Sequence, residues 1–269
     1  MVIPLEDNYT DVLGKAQRGL RITDNDLAVK SGLTPVAVKT LREGEFDEAA
    51  ARKVSPILRL NADALADLAL NRWQPPAIEL EGISVFNTPF DNITVNSYLI
   101  WNPKNGEAIA FDTGSDCSGM IDVVETKRLE IKLILLSHSH GDHVFDLDRL
   151  KEKTGASAFI STRESLAGAE TFDVGRIFRL GGLRVDTRLT WGHSRGGTTY
   201  VVTGLAKPVA VVGDALFASS MGGGMVSYEA ALETNRAQIF TLPDETILCP
   251  GHGPLTTVAF ERKHNPFFA

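Results

Sequence analysis

Cysteine is scarce. Cys117 and Cys249 are the only two, too few for a disulfide framework, and no Cys-x-x-Cys pairs thiolates for metal or redox work. Long hydrophobic runs are missing as well. None approaches the ~20 residues of a membrane span, and residues 1–10 lack the basic start and apolar core of a secretory signal. Basic charge is not in excess either. The 27 Lys and Arg stand against 34 Asp and Glu, a net charge of −7, which removes any general attraction to nucleic acid or an anionic membrane. The expectation is a soluble, cytoplasmic protein that does not engage membranes. At 269 residues and 43% hydrophobic content, it can bury a sizeable core as one large domain or a medium one with a small partner.

What is present is concentrated. Residues 137–143 read Ser-His-Ser-His-Gly-Asp-His and follow the apolar run 131–136, which has the composition of a buried strand. Three of the six histidines fall within these few positions. His138 and His140, two apart, can point to one side of an extended segment. Asp142 and His143 then open the next helix and face a second point nearby. Imidazole and carboxylate without thiolate suit zinc, iron or manganese. His193 and His252 lie in glycine-bracketed turns, Gly-His-Ser-Arg-Gly-Gly and Pro-Gly-His-Gly-Pro, where backbone can approach a ligand closely, and Asp214 ends the apolar run 209–213. Four loops at strand ends could converge on one site.

The ordered set His-x-His-x-Asp-His at 138–143, Gly-His at 193, Gly-Asp at 214 and Gly-His at 252 resembles the metallo-β-lactamase-fold hydrolases, from about Ala77 onward. Within that superfamily the chain is most similar to the glyoxalase II-like branch, through Gly-Asp-Ala-Leu-Phe at 213–217, Pro-Gly-His-Gly-Pro at 250–254 and the tail 261–268. The resemblance implies an α/β fold, a four-layer αβ/βα sandwich spanning 77–269, with two divalent metal ions at one edge, zinc first and iron or manganese as alternatives. It implies that His138, His140 and His193 hold one ion, that Asp142, His143 and His252 hold the other, and that Asp214 bridges them. A bridging hydroxide would attack a thioester or ester carbonyl, with Asp142 orienting it. Asp112 is implied to lie beneath the site, supporting ligands by hydrogen bonds. The helical C-terminal extension with which glyoxalase II enzymes recognise glutathione does not follow His252 here, so small acyl thioesters are the expected class. The alternative within the superfamily is an iron persulfide dioxygenase, with one ion held by two histidines and the aspartate.

Residues 1–75 differ in texture, rich in Ala, Leu, Asp and Arg at helical spacing. Helices are expected over 9–18, 24–30, 35–41, 47–58 and 62–70, with Thr23 and Thr34 as N-caps, Pro35 in a first turn and Gly32 between two short helices. Residues 26–38 resemble the helix-turn-helix of repressor-like proteins, which would present Val36, Lys39, Thr40 and Arg42 to a major groove. This unit holds ten Lys and Arg against eleven Asp and Glu, so it is no basic patch. A structural role, or pairing of copies into a homo-oligomer, is expected before nucleic-acid binding; the runner-up is a DNA-binding regulator with a metal-sensing domain.

A linker is expected at 71–76, with Trp73 packing across the junction, followed by strands at 78–86, 96–101 and 107–111. A helix is expected near 117–127 and another over 142–153. Strands at 156–160, 176–180, 183–189, 198–202 and 208–212 are assigned to a second sheet, followed by a helix at 228–240 and a strand at 246–248. Phe90, Phe145, Arg195 and the glycine-rich loop 219–225 are candidates for the walls of a small-molecule pocket. Cys249 is expected to be buried in a strand, and His264 to serve packing rather than the metals.

Overall fold

The computed structural model describes residues 3–269. Five short helices come first: α1 (Tyr9–Leu20), α2 (Asp24–Ser31), α3 (Pro35–Arg42), α4 (Glu48–Val54) and α5 (Ala62–Ala69). Each begins where a short polar side chain accepts the orphan N–H groups of the first turn. Asn8 and Thr23 form capping boxes with Asp11 and Asp26, and Thr34, Asp47 and Asn61 cap the other three. Gly32 closes α2 at φ +68°, a conformation that costs a residue with a Cβ. Expected helix 47–58 is shorter than its pattern, because the chain turns at 55–59 with Arg59 at φ +56°.

The rest of the chain is two six-stranded sheets face to face. The first contains β1 (Ile83–Phe90), β2 (Ile93–Trp101), β3 (Glu107–Phe111), β4 (Glu130–Leu135), β5 (Ser157–Ser161) and β6 (Glu170–Phe172) in that spatial order. The second contains β7 (Ile177–Leu180), β8 (Leu183–Leu189), β9 (Thr198–Thr203), β10 (Val209–Gly213), β11 (Ile247–Pro250) and β12 (Thr256–Thr257), also adjacent in sequence order. Helix α6 (Ser118–Lys127), the single turn α7 (Gly141–Val144) and α8 (Leu147–Thr154) lie between strands of the first sheet, while α9 (Tyr228–Gln238) and α10 (Val258–His264) belong to the second half.

Strand alternation makes the layers. Tyr98, Ile100, Ile109 and Phe111 face Tyr200, Val202, Val209 and Val211 between the sheets. The intervening Leu99, Trp101, Ala108 and Ala110 face Met120 of α6 and Leu147 and Leu150 of α8. On the far side, Val201, Ala210, Val212 and Leu248 meet Ile239, Phe240 and Val258. The result is the expected αβ/βα sandwich preceded by helices.

Three further expectations change. Strand β5 belongs to the first sheet, pairing parallel with β4, because the crossover through α8 returns the chain beside the strand it left. The helix expected over 142–153 breaks at Phe145–Asp146, where the Asp146 carboxylate accepts the Cys117 N–H at 2.8 Å. The opening hairpin is tighter than expected: the first strand starts and ends later, at Phe90, the second starts earlier, at Ile93, and the chain turns at Asp91 (φ +48°). Pro89 is tolerated there because β1 is an edge strand.

The helical unit does not stand apart. Its core of Val12, Leu13, Leu27, Leu41, Val54 and Leu65 continues into Met221, Tyr228, Ala231 and Phe267. Trp73 stacks on His264, ring centroids 4.0 Å apart, and approaches Phe260 at 5.8 Å, so His264 is engaged in packing as expected. No helix among the described residues is long and apolar enough to cross a membrane.

Candidate metal centre

The loop after β4 is fixed before any ligand is considered. Asp112, buried at the end of β3, accepts the Ser137 N–H and Oγ–H at 2.7 Å each and lies 2.8 Å from His143 Nδ1. From the opposite sheet, Tyr200 O–H donates to the Leu136 carbonyl at 2.6 Å and the Thr198 N–H to the Ser137 carbonyl at 3.0 Å. The half-buried Glu164 carboxylate accepts the Ser139 N–H and the Gly196 N–H, joining this loop to the one that carries His193.

On that base seven side chains converge from four loops. His138, His140, His193 and Asp214 offer donor atoms all within 4.8 Å of one another, and so do Asp142, His143 and His252. Asp214 reaches both sets. Its Oδ1 is 3.2 Å from His143 Nε2, and its Oδ2 is 3.3 Å from His193 Nε2 and 3.4 Å from His252 Nε2.

Four rings are oriented through their second nitrogen. His143 Nδ1 meets Asp112, His193 Nδ1 the Gly223 carbonyl at 3.0 Å, His252 Nδ1 the Thr94 carbonyl at 2.6 Å, and His138 Nδ1 the Ser137 hydroxyl at 3.0 Å. This leaves each Nε2 turned to the centre, the arrangement that fixes an imidazole for metal binding.

The donors fit a cation. His138 Nε2, His143 Nε2 and Asp214 Oδ1 are buried without a hydrogen-bond partner, although His143 Nε2 and Asp214 Oδ1 lie close, because their alignment is wrong for a hydrogen bond. Buried polar atoms are seldom left so. Charge leads to the same conclusion. Burial opposes ionisation of Asp214, but the His143 and His252 rings hold its carboxyl well below the usual range. Burial likewise opposes a proton on those rings, yet Asp214 in both cases, with Asp112 for His143 and Asp142 for His252, pushes His143 up to about 10 and His252 up to about 11. Where no such surplus of carboxylate acts, burial prevails and His138 and His193 are pushed down. Negative charge concentrated in a buried pocket is what a divalent ion compensates.

Backbone had to come close for this to form. A Cβ on Gly251 would stand 2.1 Å from Asp214 Oδ1, and one on Gly222 would stand 1.9 Å from the Asp214 carbonyl oxygen. The glycines of residues 219–225 thus admit close packing and do not loosen the loop: Ser219, Ser220, Met221 and Gly222 are buried, and only Met225 at its end is widely exposed. Of the other pocket candidates, Phe90 and Phe145 pair edge to face at 5.8 Å beside Gly141, with Phe145 69% exposed, and Arg195 is exposed next to His193. Cys249 is buried in β11, and burial pushes its thiol pKa up. In the helical unit, Val36 and Lys39 are exposed, but the Arg42 guanidinium is half-buried and donates to the Thr10 carbonyl of α1. Glu164, Thr94 and Gly223 carry no local motif; only the fold brings them to the ligands.

Known proteins are similar to this chain in sequence and fold. A Streptococcus pyogenes protein named as a probable metallo-hydrolase is 29% identical over 201 residues, 64% of this chain and 85% of its own length. The hydroxyacylglutathione hydrolase GloC of Haemophilus influenzae is 29% identical over 64% of this chain and 92% of its own. The crystal structure of the B3 metallo-beta-lactamase BLEG-1 superposes with a TM-score of 0.60 and 27% identity, covering 69% of this chain and 100% of its own. The family model of the metallo-beta-lactamase superfamily matches residues 91–252, a stretch that holds all seven donor side chains, and the chain belongs to that superfamily.

Proposed function

We propose that this chain is a metal-dependent hydrolase that holds two divalent ions and cleaves a small acyl thioester or a related ester. The observation that carries the reading is Asp214, whose carboxylate faces His143 with one oxygen and His193 and His252 with the other. His138, His140 and His193 are assigned to one ion, Asp142, His143 and His252 to the second, and Asp214 to both. Zinc suits this donor set first, with iron or manganese as further choices. Two such ions make water acidic enough to ionise near neutral pH and draw charge from a carbonyl oxygen, so no side-chain nucleophile is required. Asp142, 3.3 Å from His252 and less buried than Asp214, would accept a hydrogen bond from the attacking water and aim it, a role that its closeness to the second ligand group supports. The Phe90–Phe145 pair forms an apolar lip suited to an acyl group, and Arg195 offers a cation to a carboxylate or phosphate at the far end of a substrate. The likeness to a hydroxyacylglutathione hydrolase supports the acyl thioester class.

The test is metal content per chain, by elemental analysis of protein purified without added metal, followed by a screen of acyl thioesters, lactones and phosphodiesters. Two ions and thioester turnover are expected. Asp214→Ala should lose both metal and activity, and full activity in that variant would remove Asp214 from its bridging role. One iron per chain would instead direct the search to oxygen consumption with thiol persulfides.

A further inference from the structure

Lys15 is a cation that the reading above leaves without a task. It projects from α1 with its side chain only 13% exposed. The ammonium donates to Asp7 Oδ2 and, at 2.8 Å, to the Met221 carbonyl, and it stands 5.0 Å from the centroid of the Phe217 ring. An ammonium has three donors and no acceptor, and two hydrogen bonds and an aromatic face engage all three, so none is free for a substrate anion. Asp7, 9% exposed, also accepts the Ser220 O–H at 2.5 Å. Removing two charges from water is costly, and every contact that compensates for it outside the N-terminal unit belongs to residues 217–221.

That segment leads directly into the donor set. The Phe217 ring packs edge to face on His252 at 5.4 Å. Gly222 lies against the Asp214 carbonyl and, within 3.1 Å of its Cβ position, His193 Nδ1; the Gly223 carbonyl orients the same ring. The segment needs holding, since Ser219 sits at φ +59°, a conformation that strains a residue with a side chain. The N-terminal stretch also lies along the other edge of the site, with Glu6 N 3.2 Å from where a Gly253 Cβ would stand.

We propose that the Lys15–Asp7 pair is a positioning group of the metal site: through it the N-terminal helical unit fixes residues 217–222 and thereby the geometry of His193, Asp214 and His252. The inference rests on reading those residues as metal ligands. All five N-terminal helices lie outside the family match at 91–252, so the pair belongs to the part of the chain that the family model does not cover.

The test titrates the metal-free, full-length protein with Co2+ alone, following the visible absorption of the bound ion, in wild type, Lys15→Met, Lys15→Arg and Asp7→Asn. Met keeps the apolar stem and removes the donors. Lys15→Met should weaken Co2+ binding about tenfold or more, as loss of a supporting partner does at other metal sites, and shift the visible band. Lys15→Arg should recover most of both, because a guanidinium can serve Asp7 and the Met221 carbonyl together. A Lys15→Met variant that melts lower but binds Co2+ with wild-type affinity and band would overturn the inference. Should Lys15→Met fail to fold, Asp7→Asn is read by the same criteria. A wild type that binds Co2+ and hydrolyses none of the esters, with Lys15→Met binding more weakly, upholds the inference and removes the hydrolase. A wild type that takes up no Co2+ overturns both.

Discussion

Asp112 and Glu261 show what single carboxylates do when buried beside or beyond a site. Asp112 spends its oxygens on Ser137 and His143, so it sets both the path of the ligand loop and the tautomer of one ligand. Asp112→Asn keeps the shape but places an N–H₂ against one of those donors, and should lower metal affinity about 10- to 100-fold in a chelator competition. Glu261, fully buried in α10, accepts from Ser219 N–H, Thr256 O–H and Asn265 N–H₂. Burial outweighs these donors and raises its carboxyl from 4.5 to about 7. The folded value lies above the unfolded one, so the folded state holds the proton longer. The contribution of Glu261 to stability is therefore fully present below 4.5 and is lost as pH climbs to about 7, a loss on the order of 3 kcal/mol. Urea midpoints at pH 5 and pH 8 should differ in this sense, and Glu261→Gln should reduce the difference. The role of Asp112 was implied by the family resemblance, whereas that of Glu261 could not be read from Glu-Arg-Lys-His as a string. The ligands at 138–143 could, because chemistry confined to six consecutive residues leaves a local pattern, whereas Glu164 and Lys15 gain their partners only through the fold.

At the scale of elements, strands and helix starts were legible where one physical cause dominates: capping side chains at 23 and 34, and runs of strand-forming residues in β2 and β3. Misreadings arose where a distant partner decides. Residues 157–161 look like any buried strand, and only the crossover through α8 assigns them to the first sheet. The Gly-Gly-Gly run at 222–224 suggests freedom by composition, but Gly222 and Gly224 are small because Asp214 and Tyr228 press on them. Gly222→Ala should cost about 1–3 kcal/mol in urea unfolding and reduce metal uptake, because the Asp214 backbone must yield to the new methyl. A variant as stable and as metal-loaded as wild type would show that the loop is not held by this close packing.

Across the whole molecule, the helical unit and the sandwich share one apolar cluster, in which Tyr228, Met221 and Phe267 are covered by α1, α4 and α5. Deleting residues 1–75 should therefore expose a large apolar face and yield aggregated protein, measured as loss of soluble chain and of a cooperative melt. A truncated chain that melted cooperatively at the wild-type temperature would show instead that the sandwich is self-sufficient. Sequence texture marked the change near residue 75, and Trp73 was its one sign of union, since Val12 or Leu65 reads as the core of an independent helical bundle. The meeting of distant chain segments, sealed by the Asn61 N–H on the Pro266 carbonyl at 2.7 Å, also sets a timetable for synthesis. The helices emerge first from the ribosome, yet Phe267 follows only after a delay on the order of tens of seconds. Until then the nascent helical unit lacks its cover, and the loop that orients His193 lacks its backing. A chaperone that shields apolar surface would have its natural moment in that interval.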